Sequence, residues 1–464
     1  MGSLGSVRYA IAAGMAVAVL AACGDSAVLR GSASATSSLT DAARHSPITH
    51  IVLIVQENRT FNNFFATFPG ADGTTTATAA KDTNCHIDES RTVRLRKRGL
   101  VEPTTLNHLY QAYRTARDGG KMDGFDEITD KGGNACMYPY QYVDPSQIRP
   151  YWDLAKQYTL AEHMFSAQGS GGFTGHQDLI AAGTVVAPAE AMVNFPTCTG
   201  GACHWGCDAP TGTHTSLIGK DDVLRLGKGP FPCTNDFAMK YPTIRDLLDA
   251  KSVSWKYYVP PSCCNTNGRL FNAFDAVYPV RYGPEWKTNI SSPETNIFTD
   301  ISSGALPAVS WLVPNTENSD HPGSKVDNGP SWVASVVNAI GESSYWDSTA
   351  IVVVWDDWGG MYDNIDPPQH AYGGFGFRVP ALIVSPYAKA GYISPTEYEF
   401  GSILKYIEQN WNLGYLGTDD RRANNIIDCF DYSQPPITFS PIPSDHDKSY
   451  FMHRKPLDYP MEDD

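Results

Sequence analysis

The chain has 464 residues, of which 42% are apolar and 18% charged, with a formal net charge of −15 and a pI near 5.2. This length suits one large domain with insertions, or two domains, and the composition is that of a globular protein. The acidic balance argues against a nucleic-acid backbone or an anionic membrane surface as the main partner, while leaving room for a local cationic pocket.

In chain order, the N-terminus reads as a targeting segment. Arg8 supplies a positive charge ahead of an apolar core over 9–20, too short to span a bilayer stably. The core ends in LAACG (20–24), which resembles a bacterial lipoprotein signal. That resemblance implies a signal peptide over 1–22, cleavage before Cys23, and a lipid on Cys23 that anchors the protein to a membrane. The alternative is an ordinary secretory signal cut nearby. Either way the mature protein is expected outside the cytoplasm, as a cell-envelope lipoprotein or a secreted periplasmic or extracellular protein. Residues 23–46 read as a flexible tether, and 47–464 as the catalytic domain.

Residues 47–56 contain ITHIVLIVQ, whose apolar run IVLIV reads as a strand covered on both faces. It leads directly into Glu57-Asn58-Arg59. A helix is expected over 107–117, and another over 150–158. A short apolar segment then precedes GSGGFTGHQDLIAAGT, whose glycines permit a sharp turn. A helix is expected from 177 to 182, with Thr174 just before it. A hydroxyl there would face the positive end of the helix dipole, a place suited to phosphate. The plainer reading is an N-cap threonine.

Nine cysteines follow Cys23, and outside the cytoplasm they are most simply disulfides with at least one left over. Cys198, Cys203, Cys207 and Cys233 fall in an insertion of about 188–240; a zinc site there is possible by spacing, but a disulfide-stapled surface insertion fits better. Further on, 241–248 reads as a helix, 254–259 and 308–313 as strands, and 331–340 as a helix. Residues 350–362, AIVVVWDDWGGMY, form the centre of the pattern: a second buried strand running into Asp356 and Asp357. A strand over 379–385 and an amphipathic helix over 402–411 follow. The proline-rich, acidic tail from 435 should wrap the surface. Alternating strands and helices make the class α/β.

Ligands in parallel sheets bind beyond the carboxyl ends of the strands. If the strands at 47–56 and 351–355 are neighbours, Glu57, Asn58, Asp356 and Asp357 converge, an oxygen-rich group of the kind a divalent cation needs. Otherwise they are unrelated strand ends with helix-capping aspartates.

With these segments placed, the chain resembles the bacterial phosphoesterase family that contains the non-haemolytic phospholipases C and acid phosphatase A, within the alkaline-phosphatase-like superfamily. Six blocks carry the resemblance in order: HIVLIVQENRTFNNFF, LNHLYQAYRTARDGGKMDGF, GGFTGHQDLIAAGT, SWLVPNTENSDHPG, WDDWGGMYDN and GGFGFRVPALIVSPYAKAGYI. The resemblance implies a central, mostly parallel sheet between helices. It also implies one or more divalent metal ions held by Glu57, Asn58, Asp356 and Asp357, with Thr174 as nucleophile and His108 and His321 lining a phosphate pocket. A covalent phosphothreonine would form and then be cleaved by water.

There are departures from the family pattern. Trp358 and Asn364 replace frequent histidines, Pro279 replaces another, Asp357 replaces a longer glutamate, and His176-Gln177 replaces a common proline-asparagine pair. His176 reads as structural or substrate-contacting, with a part in catalysis as the alternative. The expected activity is metal-dependent hydrolysis of phosphoric esters, with a phosphate ester or a phospholipid as substrate. The aromatic segments around 138–142 and 255–258 are candidates for a choline-type pocket. The alternative is a non-catalytic surface lipoprotein that kept the fold and binds a ligand or partner.

Overall fold

The computed structural model describes residues 46–130, 132–187, 189–197, 206–233, 241–261, 271–370, 372 and 374–455. The signal segment, Cys23 and the tether lie outside them, as do Cys198, Cys203, Cys263 and Cys264.

The two apolar runs form the middle of an eight-stranded sheet. Its order is Ile290–Ser291, Trp255–Tyr258, Val309–Leu312, His50–Gln56, Thr349–Trp355, Ala381–Val384, Thr159–Ala161, Tyr392–Ser394. All run parallel except Ala381–Val384, which is antiparallel to both neighbours. Every residue of Thr349–Trp355 is buried, and all of His50–Gln56 except His50. That is why neither strand alternates: helices cover both faces.

Helices Tyr110–Arg117, Arg149–Gln157, Gly329–Gly341 and Phe400–Asn410 fall where apolar periodicity predicts them, within a few residues at the ends. One boundary differs more. The helix expected from 177 runs Gly172–Ala181, capped by Gly171. Glycine at 172 and 175 reads as loop, but close packing makes it necessary: a Cβ on Gly175 would lie 2.5 Å from the Asp356 carbonyl oxygen. Thr174 is therefore the third residue of this helix rather than its cap.

Three further expectations change. The insertion is not wholly superficial, because Glu190–Thr197 and His214–Gly219 pair within a four-stranded sheet that buries Met192, Val193 and Ile218. Cys207 is bridged to Cys233, which excludes a four-thiolate zinc site. The rings of Trp255, Tyr257 and Tyr258 lie in the main core, so that aromatic segment lines no headgroup pocket; in the other, Tyr140 is fully buried while Tyr138 and Tyr142 are half-buried. Cys85 pairs with Cys136, and Cys429 is a buried free thiol. The tail does wrap the surface, with the carbonyls of Ile437, Ile442 and His446 accepting from Trp346, Asn338 and Ser335.

Candidate active site

The strands His50–Gln56 and Thr349–Trp355 are paired in register to their last residues, Gln56 opposite Trp355. The chain therefore delivers Glu57-Asn58 and Asp356-Asp357 side by side, and all four side chains are fully buried. Asp356 Oδ1 accepts the backbone N–H of Asn58 at 3.1 Å and of Asp357 at 2.8 Å. Asp357 Oδ1 accepts the N–H of Gly359 at 2.8 Å. Asn58 has a φ of +56°, a region asparagine enters more readily than most residues. Gly359 is needed beside it, since a Cβ there would stand 2.2 Å from the Asn58 carbonyl oxygen.

Two histidines arrive from distant blocks. His108 Nδ1 lies 2.7 Å from the Leu106 carbonyl, and His321 Nδ1 bonds the Pro322 carbonyl. A carbonyl can only accept, so each Nδ1 carries a proton, and in the neutral tautomer Nε2 is then the ring's acceptor; His108 Nε2 also stands 3.5 Å from Asp357 Oδ2. Asn58 Nδ2 stands 3.3 Å from His108 Nε2 and 3.2 Å from His321 Nε2. The amide nitrogen has two hydrogens and meets two acceptors. Its oxygen is thereby turned toward Asp356 Oδ1 and Glu57 Oε2, each 3.2 Å away. Reversing the amide would give those carboxylates a donor and set its oxygen against the two imidazole nitrogens, a contact that the neutral tautomers disfavour. The histidine tautomers favour the first orientation.

The His321 loop is tied to the same strand end. Glu57 N–H donates to the Ser319 carbonyl at 2.8 Å, and Gln56 Nε2 to the Asn318 carbonyl at 3.1 Å. The buried Arg59 guanidinium donates through Nε to the Asp320 carbonyl at 3.0 Å. Trp358 donates its indole N–H to the His108 carbonyl.

Helix Gly172–Ala181 lies across the end of Thr349–Trp355 and brings His176 into the group. His176 Nε2 is 3.1 Å from Glu57 Oε1 and 3.8 Å from Asp356 Oδ2, and its ring stacks on Phe271 with centroids 5.5 Å apart. Glu57, His176 and Asp356 each offer a ligand atom within 4.8 Å of the others, a triad that could hold a metal ion. Thr174 is fully buried, and its Oγ1 donates to the Gly171 carbonyl at 2.9 Å. Two residues apart on a helix, Thr174 and His176 project about 200° from one another. The structure thus gathers Glu57, Asn58, Asp356, Asp357, His108 and His321, and places Thr174 on the adjoining helix with its hydroxyl turned to its own backbone. His176 is the member that sequence reasoning undervalued; its signal was its place in the same block as Thr174.

Burial, then Asp357 and Glu57, push the Asp356 carboxyl well above the ordinary range, against the opposing pull of His176 and the Asn58 N–H. Burial lowers His176, and Asp356 partly restores it. Asp356 Oδ2 has no hydrogen-bond partner among the described residues.

A model of the Phosphoesterase family matches residues 48–414. The chain belongs to that family. It is similar to phospholipase C A of Mycobacterium tuberculosis, 23% identical over 453 residues that cover 85% of this chain and 79% of the relative. It is also similar to the non-hemolytic phospholipase C of Burkholderia pseudomallei, 22% identical over 480 residues covering 85% of this chain. The chain spans 61% of that relative's length. Among solved structures, a protein in the alkaline phosphatase superfamily from Vibrio parahaemolyticus is similar over 86% of this chain and 82% of its own. The identity is 11% and the TM-score 0.33. As a Phosphoesterase family member the protein is a phosphoric ester hydrolase. None of the helices among its described residues is long and apolar enough to cross a membrane.

Proposed function

We propose that this phosphoesterase is metal-dependent and cleaves phosphate esters or phospholipids at the group formed by Glu57, Asn58, Asp356 and Asp357. The observation that carries the reading is the Asn58 amide. Its oxygen faces Glu57 Oε2 and Asp356 Oδ1, each at 3.2 Å, with no hydrogen of Asn58 between them. A proton would relieve one such contact, whereas a cation relieves all of them together. Two ligand oxygens each about 2.2 Å from one ion and at right angles lie about 3.1 Å apart, so the spacing suits a small divalent ion. Asp357, whose Oδ1 accepts from Gly359 N–H and whose Oδ2 stands 3.5 Å from His108 Nε2, is the further ligand of this proposal. A bound ion there supplies positive charge to a phosphoryl oxygen and to the attacking oxygen.

Around it, His108 and His321 hold the Asn58 amide in its working orientation. Thr174 Oγ, once released from the Gly171 carbonyl, attacks phosphorus in line, forming phosphothreonine as the alcohol departs. The threonine proton is delivered through water to the leaving oxygen. Water then cleaves the phosphothreonine. A second reading is favoured by the Thr174–Gly171 bond and by the angle between Thr174 and His176: water attacks the ester directly, and the Thr174 hydroxyl only bonds the first turn of its own helix.

Export and oxidation fit this reading. The Cys85–Cys136 and Cys207–Cys233 bridges suit a compartment outside the cytoplasm, and Cys23 would provide the lipid anchor. The test is hydrolysis of a chromogenic phosphate monoester before and after chelation, with phosphatidylcholine headgroup release alongside. Activity that survives complete chelation overturns the metal reading, and no activity on either ester with metal restored favours a non-catalytic binding protein. Rapid acid quenching with labelled phosphate ester separates the two nucleophiles. Label retained on the parent and absent from Thr174→Val supports phosphothreonine; an unlabelled, fully active Thr174→Val supports water.

A further inference from the structure

The carboxylates of Glu57 and Asp356 each face two ways. Glu57 Oε2 and Asp356 Oδ1 look toward the Asn58 amide oxygen, and Asp356 Oδ1 also receives two backbone N–H groups. The other oxygens, Glu57 Oε1 and Asp356 Oδ2, look toward His176 Nε2 at 3.1 and 3.8 Å. Asp356 Oδ2 belongs to a fully buried side chain and has no hydrogen-bond partner among the described residues. Resting on the metal-dependent reading above, we propose that the site holds two cations, the second bound by Glu57 Oε1, Asp356 Oδ2 and His176 Nε2, with the two carboxylates bridging.

The distances suit a common ion. Atoms about 2.1 Å from one centre are separated by about 3.0 Å at a right angle and about 4.2 Å when opposite, and 3.1 and 3.8 Å fall between. Charge points the same way. Glu57, Asp356 and Asp357 carry three negative charges when ionised, so a single divalent ion leaves the buried group anionic and hostile to a phosphate dianion. A second makes it cationic. The imidazole nitrogen sets the class of ion: a donor set of one nitrogen and two carboxylate oxygens suits manganese, iron or zinc, where an all-oxygen set suits magnesium or calcium. Phe271, stacked on the ring, fixes its plane.

The experiment titrates the untagged, metal-free full chain with Mn2+, reading stoichiometry by calorimetry and the electron spin resonance of the loaded protein. The expected result is two ions per chain, a spin-coupled signal and nitrogen hyperfine modulation. In His176→Gln one ion remains, uncoupled and without that modulation. One ion in the parent, unchanged in the variant, overturns the second site and leaves His176 a hydrogen-bond donor to Glu57. No ion in the parent overturns the metal-dependent reading as well. The parent's own stoichiometry and nitrogen signal decide the matter if the variant fails to fold.

Discussion

Asn58 and Asp356 leave adjacent parallel strands at the same level and meet twice. The Asn58 N–H donates to Asp356 Oδ1 at 3.1 Å, and the Asn58 side-chain oxygen stands 3.2 Å from that same atom. The first contact fixes where the two strand ends lie. The second has no hydrogen of Asn58 to share, and it persists because two histidines hold the other end of the amide.

Those histidines should therefore matter to metal binding without being ligands. Groups that orient a ligand typically contribute 10- to 100-fold, on the order of that factor, to metal affinity. His108→Ala and His321→Ala are each expected to raise the dissociation constant for Mn2+ by about that range. Their far-ultraviolet circular dichroism should stay unchanged. Calorimetric titration of the metal-free variants is the check, and parental affinity in both would show that Asn58 needs no such support.

Gly175 is the point where the helix bearing Thr174 and His176 rests on Asp356. A methyl there would meet backbone atoms, 2.5 Å from the Asp356 carbonyl oxygen and 3.1 Å from its carbon, which no side-chain rotation relieves. Gly175→Ala should lift the helix and lower kcat/KM by roughly tenfold or more, because small misplacements of reacting groups are costly. Helix propensity would rise slightly. A variant of parental activity would mean that the helix slides without consequence. The comparison needs only steady-state rates and a melting curve.

Much of this arrangement is legible before any coordinates. IVLIV and IVVVW announce buried strands because no polar residue interrupts them, and the polar groups after each run fall at its carboxyl end. What fails is informative. GSGGFTG reads as loop because glycine disfavours helix, yet here the absence of side chains lets the helix touch Asp356. SWKYYV reads as a strand whose aromatic rings permit a headgroup pocket, and its neighbours at 290–291 and 309–312 place those rings in the core. The turn of the Asn58 amide depends on carbonyls following His321 and preceding His108, which no spacing rule encodes.

The Cys85–Cys136 bridge closes a segment with a sequence separation of 51 that contains His108. Chain-entropy reasoning puts the stabilisation from a loop of that size at about 4 kcal/mol. The double variant Cys85→Ser/Cys136→Ser should melt well below the parent under non-reducing conditions. It should also bind Mn2+ more weakly, as His108 loses its tether. Unchanged melting would show that packing of Tyr110 and Tyr113 in the second core cluster suffices to hold the segment.

Glu294 offers a test of how burial couples stability to pH, away from the candidate site. The side chain is 3% exposed and accepts a hydrogen bond from Asn315 Nδ2 at 3.0 Å. Burial, helped by Glu317, pushes its carboxyl up to about 7, against the pull of backbone donors. A carboxyl raised in the folded protein binds more protons there than in the unfolded chain over the interval between the two values. Stability therefore falls as pH rises from about 4.5 toward 7, and the full penalty, on the order of 3 kcal/mol, is in place above that. Glu294→Gln keeps an oxygen for Asn315 and removes the titration. The melting temperature of the variant should match the parent near pH 5 and exceed it near pH 8. Melting curves that stay parallel across this range would mean that Glu294 is ionised and adequately solvated in the folded protein.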